Sequence, residues 1–393
     1  VKYFDNEIEL RINDQPLDIL PTEFSFLLKD SIYDIFNTAN FSFHDVSGLL
    51  QESFLLTEGI DIEISYGQEK NINKCRYVII RDELDSPEKV GLMSGVIELK
   101  LVHKWYDEQE IRSTAYDKKI STIIQSFAQT YTYGFKEFDI ESTVNDNIWY
   151  QPLITDSQFI NEVLLPNAYS YSSNETPFYC YITNDNIFHL KNAKQMFESN
   201  SIDKFVFGID RANNTKATTI MDLKRWKKGT YLYRNLHHRL IFKLNKDTGA
   251  LETKDDYLTD HPITGSNILP VIIDSDRITG FLDVGYTHST SGGSENLSGQ
   301  VNSSMRESIF LERFLISVPF YPKLKSGNAI DIEIFMMTDN NESSLSSNYS
   351  GKYVIEECTH IWNGKDNRAY TQLLIARKYV NIPENYKLKE KLR

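Results

Sequence analysis

Leu56-Thr57-Glu58-Gly59-Ile60-Asp61-Ile62-Glu63-Ile64, near one end of the chain, returns near the other as Leu324-Lys325-Ser326-Gly327-Asn328-Ala329-Ile330-Asp331-Ile332-Glu333-Ile334. Each stretch has an apolar residue, a turn ending in Gly, and the strand Ile-Asp-Ile-Glu-Ile. A period of two places the isoleucines toward a core and the acids outward, and Gly supplies the turn. Tyr77-Val78-Ile79 follows Gly59 at 77 − 59 = 18 residues, and Tyr353-Val354-Ile355 follows Gly327 at 353 − 327 = 26. The extra 26 − 18 = 8 residues fall in the polar, loop-like stretch 339–350. Each copy then ends in a further strand, Ile97-Glu98-Leu99-Lys100-Leu101 or Gln372-Leu373-Leu374-Ile375-Ala376. Five matching residues alone could come from the small alphabet of β-strands. The shared order, glycine and following strands point to two copies of one small β domain. Three such chains around a threefold axis would present six similar domains, turning threefold into near-sixfold symmetry.

The rest of the first hundred residues supports this reading. Glu7-Ile8-Glu9-Leu10-Arg11-Ile12 and Asn40-Phe41-Ser42-Phe43-His44 alternate apolar and polar residues, as half-buried strands do. Closely spaced strands of this length predict a small barrel or sandwich. Beyond Trp105 the texture changes. Ile120, Ile123, Ile124, Phe127 and Ala128 predict a helix over 117–129, with Asp117 as its cap. Phe159, Ile160, Val163 and Leu164 predict a second, starting at Thr155 or Asp156 and ended by Pro166. Strand patterns resume at 178–182 and 187–190. Residues 215–250 read as extended, with a turn at Asp247-Thr248-Gly249. The run 289–299, holding Gly292-Gly293, reads as a flexible loop. A short helix is expected over 304–314, followed by strands near 315–318, 330–335, 353–356 and 371–376, and a basic tail. The fold class is mainly β with an α+β insertion.

Composition narrows function. The chain has 393 residues, enough for two to four compact units. Aromatics make up 12% of it, 23 Tyr and 22 Phe among them, which favours sheets with large buried faces. A net charge of −13 disfavours binding to phosphates, which needs clustered Lys and Arg, and suits a conduit along which DNA slides without sticking. Cys75, Cys180 and Cys358 are too few and too scattered for a disulfide framework or a zinc site, and are expected as buried thiols. No apolar run of about 18 residues suggests a membrane helix, and Val1-Lys2-Tyr3-Phe4-Asp5 does not read as a signal peptide. Assembly in a bacterial cytoplasm, without stable membrane binding, is the expectation.

No catalytic, cofactor-binding or metal-binding residue is assigned. His237 and His238 are adjacent in an extended stretch and point to opposite faces, so they cannot readily share a metal. Asp255, Asp256, Asp260 and His261 lack the spaced carboxylates and central Gly of a calcium loop. Gly292-Gly293 lacks the Lys-Ser/Thr of a phosphate loop, and no nucleophile elbow or zinc-protease helix is present. Phe24, Phe26, Phe41 and Phe43 read as core or subunit interface rather than a sugar platform.

Three segments resemble the baseplate hub proteins of contractile-tailed phages, whose hub module also heads the valine-glycine-repeat spike proteins of type VI secretion. One is Gly351-Lys352-Tyr353-Val354-Ile355-Glu356-Glu357-Cys358-Thr359-His360 with Tyr370-Thr371-Gln372-Leu373-Leu374-Ile375, similar to the family's closing hairpin. The others are Tyr150-Gln151-Pro152 with Thr155-Asp156 and Phe159-Ile160, and Phe320-Tyr321-Pro322-Lys323-Leu324-Lys325-Ser326-Gly327. The resemblance implies a first barrel-like tube domain over 1–104 and an α+β domain over 105–214, continued by 251–307. It implies a second, split tube domain over 215–250 and 308–380, and a tail over 381–393. It further implies a non-enzymatic homotrimer without cofactors, sited in the virion tail baseplate. That trimer would join a sixfold tail tube protein to a threefold central spike protein. The tape-measure protein, and DNA in transit, would pass through its lumen. The alternative, from the aromatic content and abundant strands, is a carbohydrate-active or host-binding tail protein, a glycosidase or adhesin.

Overall fold

Alternation of side chains organises the first seven strands. The computed structural model describes residues 7–17, 24–45, 56–68, 71–84, 95–144, 146–168, 170, 177–208, 217–226, 239–244, 251–256, 283–288, 312–337, 343–346, 349–364, 366 and 368–377. The strands are β1 (Glu7–Ile12), β2 (Gln15–Pro16), β3 (Phe24–Ser31), β4 (Thr38–Asp45), β5 (Asp61–Gln68), β6 (Asn71–Leu84) and β7 (Gly95–His103). Leu10, Phe24, Phe26, Phe41, Phe43, Ile62, Ile64, Tyr77 and Leu99 enter one core, none more than 4% exposed. A single sheet whose strands all feed one core must curl around it. Full burial of each such side chain contributes about 1.5–3 kcal/mol. The strand order is β3-β4-β7-β6-β5-β1-β2, and among the described residues the hydrogen-bonded circuit stays open between β2 and β3.

A second curl repeats this order. It uses β13 (Ser201–Phe207), β14 (Thr218–Thr219), β15 (Asp222–Trp226), β19 (Glu312–Pro319), β20 (Ala329–Met337), β22 (Gly351–Asn363) and β23 (Arg368–Arg377), ordered β15-β19-β23-β22-β20-β13-β14. Phe205, Phe314, Ile316, Ile330, Ile332, Tyr353, Leu373 and Ile375 form its core. The equivalence extends to single hydrogen bonds. Gly59 N–H donates to the Ile79 carbonyl at 2.9 Å, and Gly327 N–H to that of Ile355 at 2.7 Å. Ile79 N–H returns to Ile60 at 3.0 Å, and Ile355 N–H to Asn328 at 2.9 Å. Ile62 faces Tyr77 across the ladder, and Ile330 faces Tyr353. The structural counterpart of Ile62 is therefore Ile330, and the two Ile-Asp-Ile-Glu-Ile strings are offset by two residues. An offset of two keeps every side chain on its own face, which is why the strings look aligned. Each copy also carries a β-bulge at the same place, at Ile80 in β6 and Glu356 in β22. The copies differ at one edge, where β1 runs antiparallel to β5 but β13 runs parallel to β20. Part of the extra length in the second copy forms β21 (Ser343–Leu345), paired to β20.

Between the copies lies the α+β unit. An antiparallel pair, β8 (Ile111–Lys119) and β10 (Asp146–Thr155), leads into α1 (Ile120–Ala128), β9 (Glu137–Ile140) and a helical run α2 over 156–167, followed by β11 (Phe178–Ile182), β12 (Ile187–Asn192) and α3 (Ala193–Glu198). The run α2 has an α turn over Asp156–Phe159, a π turn over Ile160–Leu164 and a last turn over Leu165–Asn167. The buried stripe of α1 and Phe159, Ile160 and Leu164 of α2 pack with β11, β12 and β9 in one core. A separate sheet, β17-β16-β18, combines β16 (Arg239–Leu244), β17 (Leu251–Asp256) and β18 (Asp283–His288).

Several expectations change. Asp117 does not cap α1, because β8 runs through it to Lys119; the Thr143 hydroxyl instead accepts from the Ser121 N–H at 3.0 Å. Pro166 sits inside the last turn of α2 rather than after it, and the helix ends at Asn167. Glu63 points away from the core yet is buried, covered by Lys74 at 2.7 Å and Arg76 at 3.0 Å. Residues 201–207 pair with β20 and so belong to the second copy, not the insertion. Residues 239–244 pair with β17 and β18, outside that copy. Glu312, Arg313 and Phe314 are strand, where a helix was expected to end.

Candidate functional site

With no catalytic residue assigned from the sequence, the feature that sets this molecule apart is the joint between its copies. It is built on β22, whose 13 residues serve both. Its first half pairs with β20, while Glu357–Asn363 pairs antiparallel with β3 of the first copy, from Glu357 opposite Ser31 to Asn363 opposite Ser25. The switch occurs at the bulge. There Glu356, fully buried, is held by Arg313 and by the Tyr33 hydroxyl of the first copy, and Arg313 donates to that hydroxyl at 2.9 Å. Burial and then the Glu356 carboxylate push the Tyr33 phenol well above its ordinary range. Burial works against the Arg313 charge, and the hydrogen bonds and charges of Glu356 and Tyr33 together outweigh it. A second buried pair, Arg377 with Glu312 at 2.7 Å, lies on the neighbouring strands.

Asp30 of β3 joins all three units. One carboxylate oxygen accepts the Asn184 N–H at 3.0 Å from the β11–β12 turn, and the other accepts the Ser326 N–H at 2.8 Å from the turn before β20. Burial raises its pKa to about 6, against the lowering effect of Lys325 and the two N–H donors. Lys325 donates to the Tyr66 hydroxyl at 3.1 Å. Asn37 donates to the Thr183 carbonyl at 3.1 Å and to Asn184 at 3.2 Å. His103 meets Asn186 at 3.1 Å, and burial lowers its pKa to about 4. Gly327, at φ +78°, packs so tightly that an added Cβ would lie 1.9 Å from the Tyr181 hydroxyl.

Two arrangements with a catalytic outline fail on their details. Cys358 Sγ lies 3.7 Å from His360 Nε2, but burial pushes the thiol up and the imidazole down, opposite to an activated thiolate–imidazolium pair. His360 is occupied by the Leu324 carbonyl at 3.2 Å and Thr371 at 3.0 Å. Thr183, His189 and Asp139 stand in the order of a hydrolase triad, with contacts of 3.2 Å and 3.2 Å. The Thr183 hydroxyl, however, donates to Asp185 at 2.6 Å and is buried, so its proton is not offered to the imidazole. The His189 hydrogen bond and Lys191 instead hold Asp139 down at about 2. Among the described residues no three His, Cys, Asp or Glu side chains gather as a metal would require.

The remaining sequence candidates fall elsewhere. Phe24, Phe26, Phe41 and Phe43 stack in the first core and offer no sugar platform. Cys75, Cys180 and Cys358 are buried and unpaired with one another. His237, His238, Asp260, His261, Gly292 and Gly293 lie outside the described residues, while Asp255 and Asp256 fall in β17. Sequence reasoning passed over Asp30, Arg313 and Glu356. Their signal was a charge set within a strand of large apolar residues, and for Glu356 the doublet Glu356-Glu357, which breaks the alternation where the bulge forms.

No family model and no curated protein matches the chain by sequence. Solved structures do match by shape. A tail protein from Neisseria meningitidis MC58 superposes with a TM-score of 0.57 at 8% identity, covering 95% of this chain and 97% of that one. The 43 kDa tail protein of prophage MuSo2 from Shewanella oneidensis gives 0.58 at 8% identity, covering 95% and 98%. A chain of the lidded PdpA-VgrG complex of Francisella gives 0.51 at 9% identity, covering 96% of this chain and 54% of that one. Over nearly its whole length this chain therefore has the fold of these solved tail proteins.

Proposed function

We propose that this chain is a structural subunit of a phage-type tail. Three copies form a ring of six similar sheet units, which joins a sixfold tail tube to a threefold central spike. The observation that carries the reading is the duplication itself. The two units share strand order, turn hydrogen bonds and bulge position, and they stand side by side through β22 and β3. Two linked copies of a sheet directly serve a ring that must meet sixfold and threefold neighbours. The likeness in fold to tail proteins supports the same placement, in the baseplate of a virion tail. The tape-measure protein and then DNA would pass through the lumen, and the net charge of −13 suits a wall to which DNA does not adhere. Mass photometry together with negative-stain imaging tests this. The expected result is a particle of three times the 45.6 kDa chain mass, with a central hole and six-lobed outline. A particle that remains monomeric at high micromolar concentration, alone and with its cognate spike, would remove the reading.

A further inference from the structure

Asp30 ties the three units together through two backbone donors, and the side chains beside those donors are left unanswered. Ser326 N–H and Asn184 N–H each bond one oxygen of its carboxylate, so the two residues stand on either side of it. Ser326 is 1% exposed and Asn184 0%, and among the described residues neither Ser326 Oγ nor Asn184 Nδ2 has a hydrogen-bond partner. Turning the Asn184 amide round does not repair this. Asn37 Nδ2 must face the Thr183 carbonyl, at 3.1 Å, and it donates to Asn184 Oδ1 at 3.2 Å, as the Tyr77 hydroxyl does at 3.2 Å. A turned Asn184 would set two amide donors face to face. Lys325, beside Ser326, is also short of acceptors. It is 6% exposed, and of its three Nζ–H groups one reaches an oxygen, the Tyr66 hydroxyl at 3.1 Å. No carboxylate pairs with it among the described residues, although its charge acts on Asp30. Native proteins leave few buried donors without an acceptor. Opposite charges that act on one another without touching are commonly bridged by solvent.

We infer that the joint encloses ordered water, bonded to Asn184 Nδ2, Ser326 Oγ and Lys325 Nζ, which links Lys325 to the Asp30 carboxylate. Each unit supplies a ligand: Asp30 from the first copy, Asn184 from the insertion, Lys325 and Ser326 from the second copy. The lining selects the occupant. Amide, hydroxyl and ammonium donors repel a metal cation. An anion would meet Asp30 and the nearby Asp185 against the single charge of Lys325. Water donates to the carboxylate and accepts from the donors, and a buried water typically makes about three such bonds. The three units thus meet through solvent as well as through their own side chains. The site lies within one chain and does not depend on assembly into a ring.

Ser326→Ala in the full chain tests this in solution, because the sign of its effect depends on the occupant. A hydroxyl bonded to water loses that bond when it is removed. The unfolding equilibrium constant, read from urea titrations, should then rise by about three- to tenfold. A hydroxyl buried without any partner is relieved by its removal, so an unchanged or smaller constant would overturn the inference. A high-resolution crystal structure of the full chain, grown in bromide, reads the site directly. Density for water within hydrogen-bond distance of Asn184 Nδ2 and Lys325 Nζ is expected. Lys325 bonded straight to Asp30, or Ser326 Oγ and Asn184 Nδ2 bonded to protein groups instead, would sink the proposal. So would an anomalous bromide peak at the site, which would make the occupant an anion.

Discussion

Gly59 and Gly327 hold the same turn in the two copies, yet they do not bear the same constraint. Both sit at positive φ, +87° and +78°, where a side chain is strained by roughly 1 kcal/mol or more. A Cβ on Gly59 would meet nothing within 4 Å, while one on Gly327 would strike the Tyr181 hydroxyl of the inserted unit. Gly59→Ala should therefore lower stability by about 1 kcal/mol, and Gly327→Ala by about 1–3 kcal/mol more, the usual range for overpacking. Adding Tyr181→Phe should recover part of the Gly327→Ala loss and none of the Gly59→Ala loss. Urea midpoints of the four variants decide it. Equal losses for the two glycine variants would mean that the inserted unit is not seated on this turn.

At the scale of elements, legibility followed the strength of the local pattern. The apolar stripe of α1 was readable residue by residue, because Ile120, Ile123, Ile124, Phe127 and Ala128 all face the core. Its start was not, because the cap comes from Thr143, far along the chain. The opposite holds for α2, where Thr155 and Gln158 form a capping box within four residues. Thr155→Ala should accordingly cost about 1 kcal/mol, while Asp117→Ala, at the expected cap of α1, should leave stability within about 0.5 kcal/mol. Loss of the same size from both, in chemical denaturation, would restore Asp117 to the role read from the sequence. The duplication was visible in Ile-Asp-Ile-Glu-Ile, but its register was not. A two-residue offset leaves the alternation unchanged, and it is the hydrogen bonds of Gly59 and Gly327 and the pairing of Ile62 and Ile330 with their tyrosines that reveal it. The place of β13 was likewise hidden, since pairing with a strand more than a hundred residues away leaves no local mark in the sequence.

For the molecule as a whole, the joint should give stability a particular dependence on pH. Three buried groups near it titrate between folded and unfolded values. Burial holds His103 neutral, with its pKa lowered to about 4, and lowers His360 well below its ordinary value. On unfolding each takes up a proton below about pH 6.5, so the stability they contribute is complete above that value and is lost as pH falls toward 4. Asp30 acts in the other direction. Its folded pKa of about 6 lies above the ordinary 3.8, so the folded state binds a proton first and acidification between 6 and 4 relieves the cost of burying its charge. Each of His103 and Asp30 is worth about 3 kcal/mol across its window, with opposite sign. They oppose one another, and His360 adds to the loss on acidification. From pH 6 to 4 the two histidines together should outweigh Asp30, so stability should fall with acidification. His103→Gln should flatten the slope, since Asp30 then offsets His360. Asp30→Asn should steepen it, because both histidines then act unopposed. Urea unfolding at several pH values in that range reads both slopes. Parallel profiles for the two variants would show that neither group is buried in solution as it is in this joint.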